Sequence, residues 1–253
     1  MPTKSRSALI AAGAICFLVS LIASMPARIV VDLLASDDLR VGGTSGTAWN
    51  GEARLLNIAG LEIRQISWDL HAWSLFVGKL SADIDLQLSG GFARGALALS
   101  ITGSISIRDF EATAPVSAIT RWMNLPQTTG DASMQIRSLD ISNGWPRTAV
   151  GSARVGNVPV NLPGVPPTTA GSYQVSFDVE SVPEDGKLSG ELTDLGGVLE
   201  ISGTIQLSPP SNYDISGLIN TRPGAPAGLA EGLVLLGPAG PGGRHEFSLT
   251  GSF

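Results

Sequence analysis

The stretch "VLEISGTIQL", residues 198–207, decides the fold class of this chain. Its apolar residues recur at every second position, and one side of an extended chain would carry Leu199, Ile201, Ile205 and Leu207. Gly203 falls in the same phase, so the apolar side of the strand is interrupted by a missing side chain. This period of two predicts an antiparallel strand with one apolar face and one solvated face.

The same alternation runs through much of the chain after residue 28. It appears in the segments 83–88, 99–108, 173–180, 212–220 and 246–253. Helical periodicity is limited to 115–123 and 226–237. In addition, the helix of the uncharged amino-terminal segment 7–27 is expected to continue across 27–35. We predict a mainly β protein of roughly ten to fourteen strands. The strands would form a large curved antiparallel sheet, which is open, curled or a flattened barrel, with one or two short helices.

A short unit, apolar residue, Ser or Thr, Gly, any residue, apolar residue, occurs six times. The copies start at residues 88, 101, 188, 201, 215 and 249. Their phase predicts that Gly103, Gly217 and Gly251 face inward, as Gly203 does. Glycines inside strands bend a sheet or make room for large neighbours. The alternative is a groove for an acyl chain, for which the candidate residues are Leu86, Ile105, Val175, Ile201 and Ile215.

The amino terminus predicts a membrane anchor. Residues 7–27 carry no charge, and 21 residues suffice to cross a bilayer as a helix. Lys4 and Arg6 precede this segment, and positive residues before a first span keep that end in the cytoplasm. We therefore expect a cytoplasmic tail at 1–6, an anchor at 7–27 and an extracytoplasmic β-rich domain at 28–253. The competing interpretation is a cleaved signal peptide, for which "IASMPA" is a poor cleavage site.

Composition argues against catalytic, metal and nucleic-acid chemistry. Cys16 is the only cysteine and lies inside the apolar segment, and the chain has two histidines, His71 and His245. No spacing typical of zinc ligands or of a nucleophile elbow occurs, and we expect His245 to face solvent. The net charge is −6 with 15% charged residues, which disfavours a nucleic-acid partner. We predict no catalytic residue, no metal site and no cofactor.

Tryptophan residues accompany glycines near the start of the β-rich region. Trp49 lies between Gly46 and Gly51 in "GTSGTAWNGEARLL", residues 43–56. We expect its ring to fill the end of the sheet, with the glycines letting the chain turn tightly around it. The alternative is a residue that stacks on a sugar or anchors a partner.

Four motifs follow one another along the chain. They are "VGGTSGTAWNGEARLL", "LEIRQISWDLHAWSLFVGKLSADIDL", "SNGWPRTAVGSARV" and "DLGGVLEISGTIQL". Their distinctive residues are Gly46, Thr47, Trp49, Gly51, Trp68, Leu70, Gly78, Gly144, Trp145, Pro146 and Gly203. In this order the motifs resemble the protein N family of the type II (general) secretion pathway. A more distant likeness, based on the anchor and the Ser/Thr-Gly units, is to AsmA-like proteins, which are anchored in the inner membrane and associated with lipid transport.

The resemblance implies a single-pass protein of the bacterial inner membrane with a periplasmic β-rich domain. Its function would be accessory and non-catalytic, in the machinery that exports folded proteins across the outer membrane. Other type II secretion envelope proteins would be its partners. The AsmA-like alternative implies a module that binds or transfers lipid.

Overall fold

A computed structural model describes residues 13, 17, 20–21, 23–34, 39–58, 61–122, 129–160, 168–183 and 185–252. The chain divides into two compact units, Met1–Ser89 and Gly90–Phe253. The predicted boundary between residues 27 and 28 falls inside the first unit. Over the described residues the chain forms thirteen antiparallel strands and few short helices, so the predicted mainly β class is confirmed.

The first unit contains a four-stranded antiparallel sheet. Its elements are α1 (Ala27–Leu34), β1 (Leu39–Gly46), β2 (Asn50–Ile58), β3 (Leu61–Leu70), a 3-10 helix (Ala72–Val77) and β4 (Lys79–Leu88). Each strand pairs with the next. Ala53 and Ile63 are buried at its centre, where Val41, Ile66, Trp68, Leu86 and Leu88 pack against them.

The second unit is a nine-stranded antiparallel meander in which each strand again pairs with the next. Its strands are β5 (Gly91–Ser100), β6 (Ile105–Pro115), β7 (Asp131–Ser142), β8 (Trp145–Val160), β9 (Thr168–Val179), β10 (Leu188–Gly197), β11 (Leu199–Ser208), β12 (Asn212–Thr221) and β13 (His245–Ser252). The stretch that predicted the fold, 198–207, therefore lies almost wholly in one strand.

Short helices occupy two of the connections of the second unit, as the sequence predicted. α2 (Val116–Trp122) follows β6, and α3 (Ala227–Leu233) precedes a 3-10 turn, Val234–Leu236. A second 3-10 turn covers Pro241–Gly243. α3 packs on β12 through its buried residues Leu229 and Leu233.

The alternating run 99–108 is not one strand. It contains the end of β5, a tight turn and the start of β6. Gly103 adopts φ 80°, and its N–H donates to the Ser100 carbonyl at 2.9 Å. A positive φ is a turn conformation that glycine accepts at little cost. The expectation that Gly103 faces inward in a strand is therefore wrong.

The predicted anchor, residues 7–27, lies mostly outside the described residues. Among the described residues, no helix combines the length and the apolar character that crossing a bilayer requires. The helix α1 covers 27–34, but residues 24–26 separate it from the helical residues before it. The expectation that the amino-terminal helix continues across 27–35 is therefore wrong.

Candidate functional site

The strand register of the second unit places apolar residues and glycines opposite one another in rows across the sheet. One row consists of Ala93, Ala112, Met134, Ala153, Val175, Leu192, Gly203, Gly217 and Phe247. The next contains Phe110, Ile136, Gly151 and Phe177, continued by Gly190, Ile205, Ile215 and Leu249. Directly paired residues share a face. We call this side the apolar face.

The opposite side of the same sheet is polar. The row beside the first apolar row consists of Arg94, Glu111, Gln135, Ser152, Ser176, Glu191, Thr204, Ser216 and Ser248. The Arg94 guanidinium lies 2.5 Å from the Glu111 carboxylate, and the Gln135 amide donates to the same carboxylate at 3.3 Å. Water can solvate this side, so the apolar face is the side that requires a cover.

The apolar face is only partly covered. Among the described residues of the second unit, only six apolar side chains are buried, Ala93, Val116, Ala170, Leu188, Leu229 and Leu233. Met134 is 39% exposed and Leu249 is 55% exposed. Other large side chains of the two rows, such as Ile136 and Phe177, are half-buried. Partly exposed apolar side chains in adjoining rows are typical of a surface that binds a partner.

Three glycines on the apolar face lie against aromatic residues. A Cβ at Gly190 would come within 2.7 Å of the Phe177 ring, and one at Gly95 within 3.0 Å of the Phe110 side chain. A Cβ at Gly251 would clash with the Tyr213 hydroxyl. At these positions the missing side chain makes room for a ring, which is one of the roles that the sequence predicted. At Gly203 and Gly217 a Cβ would instead meet a backbone carbonyl of the neighbouring strand.

A groove of about 270 Å³ lies on the apolar face between β7 and β11. Its largest lining side chains are Met134, Ile136, Leu139, Phe177, Leu188 and Leu207. No charged side chain lines it. A wall of this composition accepts hydrocarbon and offers an ionic group no partner.

The five residues predicted to line an apolar groove are distributed over both units. Leu86 belongs to the first unit, where it packs near Ala53 and Ile63. Ile105, Val175, Ile201 and Ile215 lie on the apolar face of the second unit, on β6, β9, β11 and β12. The groove itself is lined by other residues.

A search for simple alternation along the sequence does not identify the apolar residues of β7 as members of one face. Met134 and Ile136 share one phase, whereas Leu139 and Ile141 share the other. The register shifts between Ile136 and Ser138, so the phase changes at a bulge while the side chains stay on one face. In the sequence, two short alternating runs that are offset by one residue would have indicated this bulged strand.

A polar cluster lies on β9, β10 and the end of β12. Tyr173 pairs with Asp194, and the Arg222 guanidinium contacts the Asp194 carboxylate at 2.6 Å. Among the described residues no group hydrogen-bonds the buried Tyr173 hydroxyl. Burial raises the pKa of Tyr173 to about 12, with the Asp194 carboxylate adding to the shift and Arg222 opposing it.

The raised pKa predicts a separable titration. The stability that the protonated Tyr173 hydroxyl gives to the folded chain is complete below pH 10, the ordinary tyrosine pKa. It is lost as the pH rises through about 12. In an absorbance titration at 295 nm, we expect one of the two tyrosines to ionise near pH 12, and Tyr173→Phe to remove that step. A Tyr173→Phe chain that keeps the step would contradict the assignment.

The Gly-Thr-x-Trp-x-Gly motif builds the β1–β2 turn. The Asn50 N–H donates to Thr47 Oγ1 at 3.1 Å, and Gly46 has φ 87°. Trp68, and not Trp49, supplies the ring over Gly51, where a Cβ would lie 2.6 Å from the indole. The Trp68 indole N–H donates to the Ala48 carbonyl at 3.1 Å. Gly51 thus makes room for a ring from the neighbouring strand, whereas a Cβ at Gly46 would meet the backbone of Asn50 and Gly51.

Two further motifs fix turns. Asn143 and Gly144 have φ values of 54° and 74°, which is typical of a two-residue hairpin, and the Trp145 indole N–H donates to the Gly186 carbonyl at 2.6 Å. Pro146 pairs with Ile141 on β7. In the first unit, Gly78 has φ 70° and ends the 3-10 helix.

The match to known proteins covers most of this architecture. The family described as "Type II secretion system (T2SS), protein N" matches residues 37–248. The chain belongs to this family. The resemblance noted from the sequence motifs is therefore confirmed, and the chain is a component of a type II secretion system.

Full-length relatives carry the same name. The "Type II secretion system protein N" of Vibrio cholerae serotype O1 is 24% identical over 247 residues, 92% of each chain. That of Aeromonas hydrophila is 23% identical over 257 residues, 97% of each chain. That of Klebsiella pneumoniae is 25% identical over 221 residues, covering 83% of this chain and 82% of the relative. No solved structure matches the chain significantly.

The two histidines of the chain have structural contacts. His71 Nε2 lies 3.2 Å from the Asp83 carboxylate on the surface. His245 is only 7% exposed, and its Nδ1 lies 2.9 Å from the Gly237 carbonyl, so the expectation that it faces solvent is wrong. Within the described ranges, no three His, Cys, Asp or Glu residues are grouped as metal ligands would be.

Proposed function

We propose that this chain is an accessory, non-catalytic component of the type II secretion system. Residues 7–27 anchor it in the inner membrane, and residues 28–253 lie in the periplasm. There the β-rich part binds other envelope proteins of the system and so supports export of folded proteins across the outer membrane. Family membership and the uncharged segment after Lys4 and Arg6 support this proposal.

The apolar face is the observation that carries the proposed binding role. It runs in register across nine strands, it has a polar row behind it, and few of its side chains are buried. A partner that covers such a surface stabilises the complex by about 25 cal/mol for each Å² of apolar area that it buries. An apolar segment of a secretion envelope protein is the occupant that we propose.

The groove favours a second candidate, which is binding of an acyl chain. Its wall consists mainly of aliphatic side chains and Phe177, with Ser138 and Ser152 as its polar residues, and it holds about 270 Å³. Such a groove suits the hydrocarbon tail of a lipid, as the AsmA-like alternative implies. Lipid would then occupy the surface that the first candidate assigns to protein.

A photo-crosslinking amino acid on either side of β7 tests both candidates in cells. We expect the residue at position 134, on the apolar face, to form adducts with a secretion envelope protein. The same residue at position 135, on the polar side, should form far fewer. Lipid adducts from position 134, identified by mass spectrometry, would support the second candidate. Equal protein adducts from both positions, or none from position 134, would contradict the proposed binding face.

A further inference from the structure

The first unit carries an apolar projection that is distinct from the apolar face. The 3-10 helix Ala72–Val77 exposes Trp73, Phe76 and Val77, at 82%, 82% and 72% of their surfaces. The two rings contact each other, with centroids 5.4 Å apart at 37°. No residue of this helix is buried. We call these three residues the aromatic projection.

The aromatic projection stands on an ordered connection between β3 and β4. The His71 N–H donates to the Ser81 carbonyl at 2.9 Å, and the Ser81 N–H donates to Ser74 Oγ at 3.1 Å. Ser74 Oγ in turn donates to the His71 carbonyl at 2.6 Å. These hydrogen bonds tie the 3-10 helix to the start of β4. The exposed position of the three apolar side chains is therefore defined by the fold of this connection.

Hydrogen bonds connect this end of the sheet to the uncharged amino-terminal segment. The Leu70 N–H donates to the Trp49 carbonyl at 2.6 Å, which joins the base of the projection to the β1–β2 turn. In that turn, the Ala48 N–H donates to the Met25 carbonyl at 2.8 Å, and Thr47 forms a β-bridge with Pro26. Met25 and Pro26 are the end of the segment 7–27. The projection and the end of the proposed anchor therefore lie at the same end of the first unit.

We infer that the aromatic projection inserts into the interfacial layer of the bilayer beside the anchor. This inference rests on the proposed membrane span of residues 7–27. Tryptophan suits the boundary between headgroups and acyl chains because its apolar ring and its indole N–H are both accommodated there. Phenylalanine adds apolar area that can be buried on the acyl side. Arg28 and Lys79, which follow the anchor and the projection, suit anionic headgroups.

Nearby carboxylates do not oppose this placement. Asp83 lies 3.2 Å from the His71 ring, and Asp69 accepts a hydrogen bond from the Asn50 amide at 3.3 Å. Both therefore have polar partners within the first unit. Insertion would fix the four-stranded sheet at the membrane surface in addition to the covalent link through α1.

An environment-sensitive fluorophore on the full chain tests the inference. In a Cys16→Ala background, NBD is attached at Val77→Cys, at Ser89→Cys or at Phe17→Cys. Ser89 is the control because it is exposed and follows β4 at its far end, about 33 Å from Lys79 for ten residues of strand. The chains are reconstituted into phosphatidylethanolamine and phosphatidylglycerol vesicles that contain spin-labelled phospholipid.

We expect a blue shift and loss of fluorescence for the probe at position 77, and neither change at position 89. Trp73→Glu/Phe76→Glu should abolish both the blue shift and the quenching by spin-labelled lipid at position 77 without changing the far-UV circular dichroism. An unquenched probe at position 77 would overturn the inference. The probe at position 17 reports the span separately: its quenching supports the anchor, and an unquenched probe there would contradict the proposed topology itself.

Discussion

Trp68→Ala is expected to lower the free energy of unfolding of the first unit by about 3 kcal/mol, within the range for truncating a large aromatic residue in a packed site. The Trp68 ring lies against Gly51 and packs on the cluster around Ala53 and Ile63. Its indole N–H also supplies a hydrogen bond to Ala48. Truncation removes the packed area and leaves that carbonyl without this donor.

Two variants separate packing from the hydrogen bond. Trp68→Phe keeps most of the ring area and should cost about 1 kcal/mol, the net value of one hydrogen bond. Trp73→Ala removes a tryptophan of the same unit that is 82% exposed, and should change stability by about 0.5 kcal/mol or less. Urea unfolding of the full chain in detergent, followed by far-UV circular dichroism, measures all three. Equal effects of Trp68→Ala and Trp73→Ala would contradict this account of the first unit.

Simple alternation predicted those strands that remain regular along their length. In β11 the apolar residues Leu199, Ile201, Ile205 and Leu207 keep one phase, and in β12 only Leu218 departs from the phase of its neighbours, so a period of two is visible in the sequence. The two helical segments were also predictable, because Pro115 and Pro226 precede short runs with helical periodicity. These are local signals, and the sheet pairings agree with them.

Other features depend on pairings that a single segment does not contain. The bulge in β7 changes the phase of its apolar residues, and only the register with β8 shows that they share a face. Trp49 is nearest in sequence to Gly46 and Gly51, but the strand order brings Trp68 over Gly51. His245 is buried through its contact with the Gly237 carbonyl. Long-range pairing decides each of these positions.

The candidate site was predictable as a type of surface and not as a set of residues. Glycines in phase with apolar residues indicated an apolar sheet side with space beneath aromatic rings, as found at Gly190 and Phe177. The groove residues come from strands that are far apart in the sequence, from Met134 to Leu207. Their proximity follows from the nine-strand order, which no motif of the chain encodes by itself.

Met134→Arg should strongly reduce type II secretion, because Met134 lies on the apolar face and is accessible to a partner. A guanidinium buried against an apolar partner without an ion pair costs several kcal/mol. Each 1.4 kcal/mol is a factor of about ten in affinity. Gln135→Arg is the matched control, since residue 135 lies on the polar side beside Glu111.

The measurement is the amount of an exported type II substrate in the medium of cells that lack the chromosomal gene and express one variant. Immunoblots of the membrane fraction confirm equal levels of the variant chains. The account predicts that secretion falls by about tenfold or more with Met134→Arg and stays near the wild-type level with Gln135→Arg. Wild-type secretion with Met134→Arg, or equal loss with both variants, would contradict it.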